Sequence, residues 1–246
     1  MCIRDSFSGG FDVRSITKHL RDCGSSMFAI GQEIDKDSLV NLVMNARDII
    51  GDNSALTAGS LNLGDDTVGK VGILDLGAKQ SIVNVLKKLN FQAVAISPNE
   101  SAENILSMNL KGILISNGPG DPRSLEGVID TVQKLIGNIP IFGICLGHQI
   151  LSLACGLTVK KLEFGHHGSN HPVEIKGIKK ALITAQNHGF AVDDFESDLV
   201  HKEFGRIESY ASNLNDGSNE GISIWESMAY SVQFHPESGP GTSDGL

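Results

Sequence analysis

Two spacings of apolar residues divide the chain. Up to about residue 50 they recur three and four apart, which predicts helices. In SITKHLRDCG, Ile16 and Leu20 lie one turn apart and Gly24 is a stop signal. In DKDSLVNLVMNARDIIG, Leu39, Leu42, Val43, Ala46 and Ile49 keep the helical spacing, and Gly51 stands where it can close the helix. SALTAGSLNLGDDTVGK, residues 54–70, is rich in Gly, Ser and Asp and reads as a linker. From residue 70 short β-branched runs alternate with amphipathic segments. KVGILDLG, FQAVAISP, the apolar start of GILISNGPGDP, and IPIFGI read as strands. SIVNVLKKLN and LEGVIDTVQKLIGN read as helices, and LGHQILSLAC can continue IPIFGI as another. Apolar runs without polar alternation mark strands covered on both faces, as in a parallel sheet with helical crossovers. After Cys155 the strands turn more polar and hairpin-like: LTVKKLEF, HPVEIKG, RIESYAS, GISIWES and AYSVQFHPE. The pattern predicts a small unit over 1–54, a linker over 55–69 and one α/β domain over 70–246.

Composition narrows the class. At 246 residues the chain is long enough for one large α/β domain and a smaller piece. A net charge of −9, with no basic run, argues against a nucleic-acid or anionic-membrane surface. No apolar stretch approaches the roughly 18–20 residues of a membrane-spanning helix. The opening MCIRDSFSGG lacks the basic start and apolar segment of a secretory signal, so the expected location is the cytoplasm. Four cysteines (Cys2, Cys23, Cys145, Cys155) are too few and too scattered for a disulfide scaffold, and none forms a CxxC pair. They read as free thiols in a reducing compartment.

Cys145 stands apart from the other three. In IFGICLGHQI it lies between Gly143 and Gly147, where a buried strand gives way to a helix. Gly-x-Cys-x-Gly at that junction has the shape of a nucleophile elbow with Cys in place of Ser. A helix N-terminus also favours thiolate over thiol. The competing reading is a small buried hydrophobe, the usual fate of cysteine. Cys155, among Leu151, Leu153, Ala154 and Leu157, fits that second reading. A thiolate needs a base and the base an orienter. AYSVQFHPE offers His235 and Glu237 at the end of another strand, although His-Pro-Glu alone is equally a surface turn. SNGPGDP, 116–122, can aim backbone N–H groups at an oxyanion, although alone it is equally a tight loop. His166, His167 and His171 suggest a metal, but no carboxylate or Cys stands at fitting spacing; a structural or substrate-loop role is expected and no metal.

The glycine loop, the G-x-C-x-G elbow and the terminal H-P-E, in that order, resemble the triad-type (class I) glutamine amidotransferases. FGHHGSNHPV (164–173), TAQNHGFAV (184–192) and ILDLGAK (73–79) are similar, within that class, to the small glutamine-hydrolysing subunits of carbamoyl-phosphate synthases. FDVRSITKHLRDCG (11–24) resembles the end of those subunits' N-terminal domain. The resemblance implies an α/β, flavodoxin-like fold: an open, mostly parallel sheet flanked by helices and preceded by the remnant of a small N-terminal domain. It implies Cys145 as nucleophile, His235 as acid and base, and Glu237 as its orienter. The N–H groups of Leu146 and Gly120 would form the oxyanion hole, and Gly118, Gln149, Asn187, Gly189 and Phe190 would line the glutamine site. Without it, NHGF reads as a turn and Gln149 as an exposed helix residue.

The implied chemistry is hydrolysis of L-glutamine through a cysteinyl thioester. Ammonia passes to a large synthetase subunit that uses ATP and bicarbonate to form carbamoyl phosphate for arginine and pyrimidine biosynthesis. This chain itself would carry no cofactor. Only the last part of the family's longer N-terminal domain is recognisable, a serine of that domain that helps bind glutamine has no counterpart, MCIRDS resembles nothing in the family, and the chain stops at GPGTSDGL; a fragment truncated at both ends is expected. Two alternatives stand beside this reading: a triad amidotransferase of anthranilate or guanylate synthesis, and a non-catalytic interaction protein with the same fold.

Overall fold

The computed structural model describes residues 10–32, 34–46, 48–56, 68–193, 195 and 199–237. MCIRDS, residues 57–67 of the expected linker, and the closing GPGTSDGL lie outside them. The first segment holds two helices. α1 (Val13–Cys23) starts at Asp12, whose carboxylate accepts the Ser15 N–H, and stops at Gly24 (φ 78°), as the spacing predicts. α2 (Lys36–Met44) starts at Asp35, but ends at Met44 with Asn45 as its cap instead of running to Gly51. The chain leaves the helix there because residues 51–56 are claimed by the main domain. The Gly51 N–H donates to the Asp121 carboxylate at 3.0 Å. A 3-10 turn, Ser54–Leu56, sinks Ala55 completely into the main core.

The main domain alternates as the hydrophobic pattern requires. β1 (Lys70–Leu74), α3 (Gln80–Lys88), β2 (Gln92–Ile96), α4 (Ala102–Ser107), β3 (Gly112–Ile115), α5 (Glu126–Leu135), β4 (Ile141–Ile144) and α6 (Leu146–Ala154) follow one another. Then come β5 (Val159–Ile175), β6 (Leu182–Val192), β7 (Leu199–His201), β8 (Gly205–Asn213), β9 (Asn219–Ile224) and β10 (Ala229–Val232). These strands join one sheet in the order β2-β1-β3-β4-β10-β9-β8-β5-β6, with β7 paired to β8. Its first half, β2 to β10, is parallel; from β9 onward it is antiparallel. The parallel half matches the uninterrupted apolar runs and the antiparallel half the polar, hairpin-like ones, with one correction: AYSVQFHPE, read as hairpin-like, supplies β10, which pairs in parallel with β4 and antiparallel with β9.

Successive side chains of a strand face opposite sides, so the parallel half divides its apolar residues between two cores. Leu74, Ile113, Ile115 and Ile141 pack with α4, α5 and α6, whereas Ile73, Leu114 and Ile144 pack with α3. Burying an aliphatic side chain of this size stabilises by about 1.5–3 kcal/mol, and Ile73, Leu74, Ile115 and Ile141 are all fully buried. The antiparallel half curls round until β6 meets the ends of the parallel strands. The His235 N–H donates to Ala185 O at 2.9 Å, and Gln149 Nε2 to Phe190 O at 2.7 Å.

Candidate active site

Parallel strands deliver their C-terminal ends to one edge, where loops collect the chemistry. β3, β4 and β10 are neighbours and run the same way, so the segments after Ile115, Ile144 and Val232 emerge together. Those segments hold the glycine loop, the elbow and the His-Pro-Glu turn. A wide separation in sequence between Cys145 and His235 is thus closed by strand order alone.

Cys145 sits at φ 54°, ψ −102°, between the end of β4 and the start of α6. A side chain rarely adopts that conformation, and the surroundings hold it there. Its N–H donates to Val232 O at 2.9 Å, and its carbonyl accepts from the His148 and Gln149 N–H groups. The flanking glycines serve close approach. A Cβ at Gly147 would collide with the Ile115 carbonyl, and one at Gly143 would lie 2.6 Å from Gly147 O. The Cys145 sulfur is buried, 3.9 Å from Asn187 O. Leu146, the first residue of α6, has an N–H with no intrahelical acceptor and so a free direction toward an oxyanion.

His235 Nδ1 lies 2.8 Å from Glu237 Oε1, and both side chains are buried. Burial pulls the imidazole's pKa down; the Cys145 sulfur and then Glu237 overcome it and raise it to about 9. The sulfur and the carboxylate thereby favour the imidazolium form of His235. For Glu237 burial works upward, yet His235 and Lys79 hold the carboxyl below its ordinary range. Lys79 Nζ approaches Glu237 Oε1 to 3.3 Å. In the sequence, ILDLGAK carries only a family resemblance and gives Lys79 no part; no local pattern links it to a residue at the far end of the chain.

The glycine loop is braced from two sides. Ser116 Oγ accepts the Leu76 N–H and Asn117 Oδ1 accepts the Lys79 N–H. A Cβ at Gly118 would overlap Leu76 O and sit 2.7 Å from Leu146 Cδ2, so the loop lies directly over the elbow. Gly120 has φ 93° and packs on the Asp52 carbonyl, which also accepts the Asp121 N–H at 2.8 Å. Asp121 is bridged by Arg123 at 2.7 Å, and the Arg123 guanidinium lies over the Phe190 ring.

The structure corrects two unaided readings. NHGF is not a turn: Asn187, His188, Gly189 and Phe190 lie inside β6, paired with β5. Gln149 is not exposed but buried, its Nε2 also donating to Gln233 Oε1 at 3.0 Å. A carboxamide buried on α6 is satisfied by strands that arrive only after the sheet has curled. Gly189 and Phe190 also line a cavity of about 350 Å³ with Ser25, Ser26 and His167. Cys155 is core as expected, and burial pushes its thiol up to about 12.

The three histidines lie on β5, a single irregular strand that joins LTVKKLEF to HPVEIKG through GHHGSN. His167 Nδ1 lies 2.9 Å from Asn187 Oδ1, which supports a substrate-wall position. His166 pairs with Asp216 at 2.9 Å and stands near His188 and Glu220. The absence of a carboxylate near these histidines is thus true of the local sequence but not of the fold.

A strained cysteine at a strand–helix elbow, a histidine beside it, a carboxylate behind that and a glycine loop above make up a cysteine–histidine–glutamate constellation at the carboxyl ends of β3, β4 and β10. Residues 72–245 match the family described as glutamine amidotransferase class-I, and the chain belongs to it. More particularly, it is 39% identical to a carbamoyl phosphate synthase small chain of Akkermansia muciniphila, over 96% of this chain and 65% of that protein. It is 42% identical to the protein of that name from Clostridium acetobutylicum, over 96% of this chain and 66% of that one. The chain thus spans just under two thirds of the length of these curated relatives. A glutamine amidotransferase of Thermotoga maritima, known from its crystal structure, shares the fold with a TM-score of 0.54 and 18% identity. That likeness covers 69% of this chain and 76% of the other.

Proposed function

We propose that this chain is the glutamine-hydrolysing part of a carbamoyl-phosphate synthase. One observation carries the catalytic half of the reading: Cys145, held at a strained elbow, faces a His235 whose imidazolium is sustained by the sulfur and by Glu237. The thiolate attacks the side-chain carbonyl carbon of glutamine. The carbonyl oxygen takes the charge and is met by the N–H groups of Leu146 and Gly120. His235 gives its proton to the amide nitrogen, the C–N bond breaks, and ammonia leaves a glutamyl thioester. His235, now neutral, takes a proton from water as the oxygen attacks the thioester; the C–S bond breaks and glutamate departs. Glu237 keeps the ring oriented in both steps.

Similarity to carbamoyl phosphate synthase small chains supports the second half. In that reading ammonia passes to a separate large subunit, which supplies the ATP- and bicarbonate-dependent steps, and the assembly is cytoplasmic. Among the described residues no helix is long and apolar enough to cross a membrane. The test is glutaminase activity measured alone and with a carbamoyl-phosphate synthase large subunit. Glutamine-dependent carbamoyl phosphate formation on mixing, absent with Cys145→Ser, is expected. Glutaminase activity that never couples to that subunit would contradict the assignment of partner.

A further inference from the structure

Behind the glutamine wall the curl of the sheet brings together His166 of β5, Gln186 and His188 of β6, and Glu220 of β9, and all four are buried. One ligand atom each from His166, His188 and Glu220 lie within 4.8 Å of one another. The catalytic steps use none of them.

The hydrogen bonds around this group suit one assignment of tautomers, with the imidazoles neutral and Glu220 ionised. His166 Nε2 lies 2.9 Å from the Asp216 carboxylate, so in the neutral ring, the form that ligates a metal, Nε2 is the N–H and Nδ1 carries the lone pair. That Nδ1 is buried with no hydrogen-bond partner and points at Glu220 Oε1, 3.8 Å away. His188 Nδ1 lies 2.7 Å from Phe190 O, a carbonyl, so it too is the N–H and Nε2 carries the lone pair. With Glu220 ionised, Gln186 turns its amide nitrogen to Glu220 Oε2, at 2.8 Å, which leaves its oxygen 3.0 Å from His188 Nε2; burial raises the Glu220 carboxyl to about 7, so a cation beside it favours that ionised form. Two acceptors therefore face each other, beside a third lone pair and a carboxylate. Asp216 behind one imidazole and a carbonyl behind the other are the supports that metal-ligating histidines ordinarily have, and Gln186 and Asn213 hold the carboxylate as ligating carboxylates are held.

We propose that His166 Nδ1, His188 Nε2 and Glu220, with Gln186 Oε1 as a fourth donor, bind a divalent transition-metal ion of the zinc class. Two imidazoles and a carboxylate suit zinc, at about 2.0–2.1 Å from each donor and so about 3.4 Å between donors. The atoms of His166, His188 and Glu220, now within 4.8 Å of one another, would draw in to that spacing on binding. No local motif announces the site, because His166 and Glu220 are distant in the chain and Glu220 stands in no ligand pattern. The ion ties β5, β6 and β9 together directly behind Asn187 and Gly189, so it sets the glutamine wall and takes no part in the bond-breaking steps. It stands independently of the proposed partner.

The experiment uses the full chain with Cys145→Ala, since the catalytic thiol and His235 are themselves competing zinc ligands. The chain is incubated with excess zinc, dialysed, and its metal content measured by mass spectrometry. About one zinc per chain is expected, with a cobalt derivative showing visible d–d bands and no thiolate charge-transfer band. Glu220→Gln in the same background keeps the side chain's shape and should lose at least nine tenths of the metal while its far-ultraviolet circular dichroism is unchanged. Should that variant not fold, His166→Gln, which leaves Glu220 and both its carboxamide donors in place, should lose the metal in the same way. Less than a tenth of an equivalent in the Cys145→Ala chain, or zinc undiminished in the folded variant, would overturn the proposal.

Discussion

At the scale of single residues, the elbow separates two uses of glycine. Gly147 is close to the Ile115 carbonyl, a backbone atom that cannot yield, whereas a Cβ at Gly189 meets nothing within 4 Å. Gly147→Ala should therefore cost about 1–3 kcal/mol, read as a melting temperature several degrees lower, while Gly189→Ala should leave it unchanged. Equal melting temperatures would contradict the packing account. A second expectation concerns Glu237→Gln, which keeps a hydrogen-bond acceptor but removes the charge. His235, raised to about 9 by Cys145 and Glu237 against its burial, then loses part of that support. The alkaline limb of the glutaminase pH profile should move to lower pH, with kcat falling roughly 10²-fold. That Cys145, His235 and Glu237 belong together is legible in the sequence, because each sits in a short motif with glycines or proline around it. Lys79, Gln186 and Glu220 are not, because their partners are set by the curl of the sheet.

At the scale of elements, strand order does what local pattern cannot. The alternating apolar runs of β1 to β4 are readable, since fully buried strands and amphipathic helices leave distinct spacings. β5 is not readable as one strand: its bulges at Lys161/His166 and Gly168/His171 break the alternation over GHHGSN. The end of α2 escapes the pattern for a different reason, since residues 51–56 answer to tertiary contacts. Those contacts give a third expectation. Asp121 holds the Gly51 N–H and Arg123, and its own N–H holds Asp52, so the first segment braces the loop that carries Gly120. Asp121→Ala should lower kcat with little change in binding of glutamine to the opposite wall on β6, because the oxyanion donor is what loosens. A change in KM alone would place the effect elsewhere.

At the scale of the whole molecule, the ionised site leaves a mark on stability. His235 has a raised pKa in the folded chain, so its contribution is complete below its ordinary value of 6.5 and is lost as pH rises through about 9. Glu237 is depressed, so its contribution is present above its ordinary 4.5 and is lost as pH falls through its lower folded value. Melting temperature should therefore fall on both sides of a plateau, and in Cys145→Ala the alkaline fall should begin at lower pH. The central claim, that Cys145 is an acylated nucleophile, has a more direct test. The chain is mixed with glutamine, quenched in acid within a turnover, and digested for peptide mass spectrometry. A glutamyl adduct on the peptide containing Cys145, which decays as glutamate appears and is absent from Cys145→Ala, is the expected result. Glutamine hydrolysed at an undiminished rate by Cys145→Ala, or an intact folded chain that turns over glutamine with no adduct on Cys145, would contradict it.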